Sequence, residues 1–232
     1  MKILVIIPAY NEGESIAWVI RQIRSVLADA DILVVNDGSR DNTAAIAGDA
    51  GAIVITLPFN LGIGGAMQTG YLYAKRNGYD IACQVDGDGQ HDPAYLPRLM
   101  TPVMEDRADM VIGSRYVEST EYRSSLSRRT GMIFFSTLVG LLTGRSVKDT
   151  TSGFRCVNRR TIHYFAEHYP TDYPEVDVLV KLHKKNFRVL EIPVEMHRRQ
   201  KGKSSITPLR SIYYMIKVSL SLFIGAIKSA EE

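Results

Sequence analysis

Two aspartates separated by one glycine, in the run Asp86-Gly87-Asp88-Gly89-Gln90, are the residues of this 232-residue chain best suited to hold a hard divalent cation. Carboxylates at alternate positions of a tight turn can reach one ion, and the glycines let the backbone fold back and a ligand approach. A Mg²⁺ or Mn²⁺ ion held by one or two carboxylates normally completes its shell with substrate phosphates and water. The same residue types also build Asx turns for purely structural reasons. Here the apolar segment Ile81–Val85 precedes the turn and Pro93 opens a helical pattern after it, so the carboxylates stand at a strand end.

Other phosphate-handling patterns fail on particular residues. The turn after the first apolar run reads PAYNEGE, without the spaced glycines of a dinucleotide fold. Gly62, Gly64, Gly65 and Gly70 come closer, but Met67 stands where the third glycine belongs. Gly202-Lys203-Ser204 suggests a P-loop, yet His197 occupies the first glycine position and no strand precedes it. An EF-hand loop from Asp86 would need Gly at 91 and Glu at 97, where the chain has His91 and Pro97.

The elements that must position the turn follow from periodicity. Ile3–Ile7, Ile32–Val35, Ile53–Leu57, Ile81–Val85 and Met110–Ile112 read as short buried strands. Between them lie helical patterns: one from near Ser15 with Ile16, Val19, Ile20, Ile23 and Leu27 on one face, then about 42–50, 64–76 and one from Pro93. Trp18 reads as helix packing. Strands alternating with helices predict an α/β, Rossmann-like, mainly parallel sheet with ligands outside its carboxyl ends. After residue 115 the pattern changes. Residues 116–130 are polar, Met132–Leu142 is apolar on nearly all sides, 152–195 mixes strand and helix, and 208–228 reads as a final helix.

Composition sets outer limits. With 45% hydrophobic and 23% charged residues the chain is ordinary globular material. Cys83 and Cys156 are too few for a disulfide framework or a four-thiolate zinc site, and a reducing cytoplasmic setting is the expectation. The segment after Lys2 is too short for a secretory signal, and no apolar stretch reaches a bilayer span. The net charge of +3 divides unevenly: residues 1–120 hold 9 Lys and Arg against 15 Asp and Glu, and residues 121–232 hold 19 against 10. The acidic half could hold a metal, and the basic half could face phosphates or an anionic membrane. His163, His168 and His183 lack ligand spacing and are expected at the surface.

Seven segments together carry a resemblance: IPAYNE (7–12), VVNDGSRDNT (34–43), NLGIGGAMQTG (60–70), VDGDGQHDP (85–93), IGSRY (112–116), DTTSGFR (149–155) and RRQKGKS (198–204). In this order the chain resembles the inverting nucleotide-sugar glycosyltransferases of family two, with the GT-A fold. Its pattern is similar to dolichyl-phosphate mannose synthases and bacterial polyprenyl-phosphate glycosyltransferases. NLGIGG departs from the Gly-Lys-Gly version common in mannose synthases, which leaves the donor open between UDP- and GDP-sugars. The resemblance implies a GT-A domain over 1–205, with a nucleotide-sugar half (1–115) and an acceptor half (116–205), and a C-terminal amphipathic helix at 206–232.

It also implies roles. Pro8, Ala9, Tyr10 and Glu12 would line the nucleoside site, Asp37 would contact the base, and Gly62 would belong to the donor pocket. Asp86, Asp88 and Gln90 would surround the metal and diphosphate. Arg115, Ser152 and Arg155, with Arg128 or Arg129 helping, would take the acceptor phosphate. Arg199 and Lys203 would close over the donor, and Glu175 matches an acidic position near the acceptor. The implied reaction moves a hexose-type sugar onto a polyprenyl (undecaprenyl or dolichyl) phosphate with Mg²⁺ or Mn²⁺ as cofactor. A phosphate monoester has a second pKa of about 6 and arrives largely ionised, so it needs positioning by guanidinium groups more than a general base. A sugar-hydroxyl acceptor would instead need a carboxylate base, with Glu175 or Asp177 as candidates.

Ile206–Ile227 sets Ile212, Met215, Ile216, Leu220 and Phe223 among Arg210, Lys217 and Lys228, a pattern that suits a helix lying in a membrane interface. Together with MIFFSTLVGLL it predicts peripheral attachment to the cytoplasmic membrane face, alone, as a homo-oligomer or through a small membrane partner, with no nucleic acid involved. Core or oligomer-contact helices are the other reading of both segments. Two further functions remain open, a nucleotidyltransferase and a non-catalytic nucleotide-sugar binding module.

Overall fold

β-branched and leucine residues run without interruption through Leu4–Ile7 and Ile32–Val35, which suits strands covered on both faces. In the structure, a computed structural model, residues 1–117, 126–170 and 174–197 are described. The strands are β1 (Ile3–Ala9), β2 (Asp31–Asn36), β3 (Ile53–Thr56), β4 (Ile81–Gln84), β5 (Met110–Ser114), β6 (Arg155–Asn158) and β7 (Val189–Pro193). The helices are α1 (Ile16–Val26), α2 (Thr43–Asp49), α3 (Gly62–Arg76), α4 (Leu96–Met104), α5 (Leu126–Thr143), α6 (Arg159–His168) and α7 (Pro174–Lys184). A single 3-10 turn, Pro93–Tyr95, leads into α4, with the Asp92 carboxylate accepting from the Ala94 N–H at its start.

The strands form one seven-stranded sheet in the order β3-β2-β1-β4-β6-β5-β7. Every pairing is parallel except those of β6, which runs against β4 and β5. The mainly parallel α/β architecture expected from the sequence is therefore present. The reversal of β6 brings the start of that strand to the edge where β1, β2, β4, β5 and β7 end. The second half of the chain thus contributes β6 and β7 to the same sheet as the first.

Alternate residues of each central strand serve opposite cores. Leu4, Ile6, Leu33 and Val35 pack with Met67 and Tyr71 of α3 and Phe165 of α6. Val5, Ile7, Ile32 and Val34 pack with Ile16, Ile20 and Ile23 of α1 and Leu96 and Leu99 of α4. At Gly70 a Cβ would lie 2.5 Å from Ile6 Cγ2, so glycine is what lets α3 sit against β1. Cys83 and Cys156 are free thiols facing each other across β4 and β6. Among the described residues no helix is long and apolar enough to cross a membrane. The expected helix at 206–232 lies outside the described residues.

One surface assignment is corrected. His163 and His168 are exposed, but both ring nitrogens of His183 on α7 are buried and, among the described residues, without a hydrogen-bond partner. Burial, with Arg145 nearby, holds its pKa below the usual histidine value.

Candidate active site

The loops after β1 and β2 are knitted together by short polar side chains. Ser39 Oγ accepts from the Asn11 N–H at 2.9 Å, and Asn11 Oδ1 accepts from the Arg40 N–H at 2.9 Å. Thr43 Oγ1 accepts from the Glu12 N–H at 2.9 Å, and Asp41 accepts from the Gly13 N–H at 3.0 Å. Burial raises the Asp41 pKa, but the Thr43 hydroxyl and the Gly13 N–H outweigh it and hold the carboxyl below its ordinary value. Asn11 takes a left-handed φ of 56°, which turns the chain away from β1 and leaves Tyr10 43% exposed at the rim. Pro8 and Ala9 end β1 below it.

Asp37, the expected base contact, directly follows β2. It is buried, and its two oxygens accept from the N–H groups of Leu61 and Gly62 at 2.7 and 2.9 Å. The carboxylate satisfies two donors at the start of α3 and suits the positive end of that helix. Its geometry fixes the glycine-rich turn instead of projecting into open space, and the Gly62 N–H is spent in the same contact.

The acidic turn follows β4. Asp88 is 4% exposed, with Oδ1 accepting from the Gln90 N–H at 2.9 Å. Asp86 is more open, its side chain 37% exposed. Gln84 Nε2 donates to Asp86 Oδ1 at 3.2 Å. Ser15 Oγ donates to the Gly87 carbonyl at 2.7 Å and stands 3.0 Å from Glu12 Oε2, tying the turn to the loop after β1. Among the described residues no cluster of three or more His, Cys, Asp or Glu could enclose a metal. Two hard carboxylates at an open edge fit Mg²⁺ or Mn²⁺ under one condition: substrate phosphates and water finish the shell.

The basic side meets the turn through register. Arg155 at the start of β6 pairs with Gln84 at the end of β4. Gly153, two residues earlier, lies so close that a Cβ there would be 3.3 Å from each Asp86 oxygen and 2.8 Å from Gln84 Nε2. Arg115, just beyond β5, directs Nε and Nη2 at the two oxygens of buried Asp149, at 2.8 and 2.7 Å. Arg128 and Arg129 fall in the first turn of α5.

Two expected phosphate ligands lie inside the protein. Arg155 is 1% exposed and donates to the carbonyls of Ser152 (2.8 Å), Glu175 (2.9 Å) and Thr150 (3.4 Å). Ser152 is equally buried and donates to the Gly113 carbonyl at 2.6 Å. In these positions they brace the DTTSGFR segment and the start of α7, because buried carbonyls need donors. Glu175 begins α7 close by; burial pushes its carboxyl above the ordinary value, with Arg155 pulling down and Asp86 pushing up. Arg199 and Lys203 lie outside the described residues.

Sequence reasoning gave no site role to Ser15, His91, Asp149 or Gly153. Asp149 and Gly153 were inside a recognised segment, but only the fold shows which neighbour each one serves. Ser15 looked like a helix start, and His91 served only to exclude an EF-hand.

Such an edge, with a knitted loop pair, an acidic turn and the Arg115–Asp149 pair beside them, belongs to the GT-A class of nucleotide-sugar glycosyltransferases. Glucosyl-3-phosphoglycerate synthase of Mycobacterium tuberculosis, crystallised with Mn²⁺, UDP and phosphoglyceric acid, matches this fold with a TM-score of 0.71, covering 97% of this chain and 78% of its own at 22% identity. Residues 4–165 match the Glycosyl transferase family 2 model, and the chain belongs to that family of enzymes. Undecaprenyl-phosphate mannosyltransferase of Micrococcus luteus is 31% identical over 89% of this chain and 88% of its own. Polyprenol monophosphomannose synthase of Mycolicibacterium smegmatis is 30% identical over 93% of this chain and 85% of its own.

Proposed function

We propose that this glycosyltransferase moves a hexose-type sugar from a nucleoside-diphosphate sugar to the phosphate of a polyprenyl phosphate, inverting the anomeric carbon. The observation that carries the reading is the β4–β6 register, which sets the DTTSGFR segment against the acidic turn. Donor diphosphate and acceptor phosphate then meet at one edge, with carboxylates on one side and Arg115 on the other. Relatives that share most of the chain's length are named as an undecaprenyl-phosphate mannosyltransferase and a polyprenol monophosphomannose synthase.

The loops around Tyr10 and Glu12 receive the nucleoside, with Asp37 holding the glycine-rich turn beside it. Asp86 and Asp88, with Gln90, would hold Mg²⁺ or Mn²⁺, which when bound supplies Lewis-acid neutralisation of the departing diphosphate. Arg115, with Arg128 and Arg129 on α5, orients the acceptor monoester. Its ionised oxygen bonds to C1 as the bond from C1 to the donor diphosphate breaks, so an α-linked donor gives a β-linked product. No proton has to be removed from that oxygen, and charge placement is the main task of the protein. Arg199 and Lys203 would add positive charge over the donor.

A lipid acceptor implies a membrane surface. The exposed Ile133, Phe134 and Leu141 of α5 and the segment 206–232 would rest on it, peripherally and from the cytoplasmic side. The test is a matrix of UDP-, GDP- and dTDP-sugars against polyprenyl phosphate and the matching polyprenol, with Mn²⁺ or Mg²⁺. Product with the phosphate alone, lost on chelation and in Asp88→Ala, is expected. Transfer to polyprenol, or full activity after chelation, would overturn the reading.

A further inference from the structure

His91 is buried inside the candidate site, and neither the fold nor the family resemblance assigns it a role. Its side chain is 4% exposed, and its ring lies nearly parallel to Phe154, with centroids 4.8 Å apart and 12° between planes. Nδ1 accepts from the Asp86 backbone N–H at 3.0 Å. That bond assigns the ring proton to Nε2, because a nitrogen that accepts carries no hydrogen. Nε2 stands 3.6 Å from Asp86 Oδ2. On the opposite side, Gln84 Nε2 donates to Asp86 Oδ1. The Asp86 carboxylate thus has a hydrogen-bond donor at Oδ1 and the edge of the imidazole close to, but beyond hydrogen-bond distance of, Oδ2.

The ring is itself held. Residue 91 forms a β-bridge with Met196, and the His197 N–H donates to the Gln90 carbonyl at 2.8 Å, so the chain leaving β7 clamps the turn. Phe154, stacked on the ring, belongs to the segment that carries Gly153. His91 therefore touches the acidic turn, the arginine-bearing segment and the end of the sheet at once.

We propose that His91 is a positioning residue that orients the Asp86 carboxylate for the divalent cation and donor diphosphate, Nδ1 shaping the turn through the Asp86 N–H and the Nε2 edge confining Oδ2. This rests on the metal-dependent reading above. Groups that orient a ligating carboxylate affect metal affinity about 10- to 100-fold.

Two variants separate the ring nitrogens. His91→Asn can keep an acceptor near Nδ1 and has nothing at Nε2; His91→Gln can place its amide near Nε2 and gives up the acceptor. Mn²⁺ binding to the full chain is followed by electron paramagnetic resonance with UDP and GDP as probes, beside thermal unfolding. His91→Asn should unfold near the wild-type temperature and bind Mn²⁺ at least about tenfold more weakly. His91→Gln should unfold at a lower temperature and bind Mn²⁺ within about threefold of wild type. Wild-type Mn²⁺ affinity in both variants would overturn the proposal, as would affinity losses that merely track the loss of thermal stability. A wild-type chain that takes up no Mn²⁺ with either nucleotide would overturn the metal reading on which the proposal rests.

Discussion

Arg115 grips Asp149 with two parallel contacts, Nε to Oδ2 at 2.8 Å and Nη2 to Oδ1 at 2.7 Å, and its own backbone N–H adds a third at 3.0 Å. Asp149 is fully buried, and its N–H donates in turn to Glu191 Oε1 at 2.8 Å, so the pair joins the end of β5 and the middle of β7 to the arginine-bearing segment. Removing one member of a buried pair strands the other. Arg115→Met should therefore lower stability by about 3–5 kcal/mol, visible in urea unfolding. Arg115→Lys retains the charge without the two-pronged geometry. It should fold and yet show a raised KM for the lipid acceptor with the donor KM little changed. A donor-specific effect would contradict the placement.

Gly153 tests the meeting of the two halves of the site. A Cβ there would press on Gln84 Nε2 and both Asp86 oxygens, which are movable side-chain tips. Gly153→Ala should consequently leave the melting temperature nearly unchanged while kcat falls roughly tenfold to a hundredfold. Loss of stability without loss of activity per folded molecule would show that the contact has no bearing on catalysis.

Glu175 provides a pH test. Its pKa is raised above the ordinary 4.5, chiefly by burial. A carboxyl that holds its proton more tightly when folded stabilises the fold most below the unfolded value, and that contribution is lost as pH rises through the folded value. Stability should decline with rising pH above about 4.5, and Glu175→Gln should flatten that slope. Because the acceptor monoester arrives ionised, Glu175→Gln should keep most transfer to polyprenyl phosphate at pH 7.5. A collapse of kcat with the variant still folded would instead make Glu175 a general base for a hydroxyl acceptor.

Flotation with anionic vesicles tests the membrane face. Full-length chain should float, Ile133→Ser/Phe134→Ser/Leu141→Ser should float less, and loss of 206–232 should reduce flotation further. Flotation indifferent to both changes would refute attachment through these segments.

The strands and helices up to β5 could be read from periodicity because β1, β2, β4 and β5 are buried on both faces, β3 keeps a β-branched run at the sheet edge, and the longer helices turn one apolar face inward. The reversal of β6 had no such signal: Arg155–Asn158 is four residues long, begins with an arginine and carries no alternation that betrays direction. The acidic turn and the DTTSGFR segment were recognisable from residue types at close spacing. Burial was not. Asp37, Ser152 and Arg155 have the chemistry of ligand contacts and are seen bonded to backbone groups; Ser15 meets Gly87, 72 residues on, and His91 meets Asp86 in its own turn while its ring stacks on Phe154.

The most direct test is ³¹P NMR of the lipid product after reaction with a sugar nucleotide and Mn²⁺. The account predicts that the acceptor monoester signal is replaced by a phosphodiester bearing one β-linked sugar. A lipid whose monoester signal is untouched while sugar appears on a hydroxyl would contradict it.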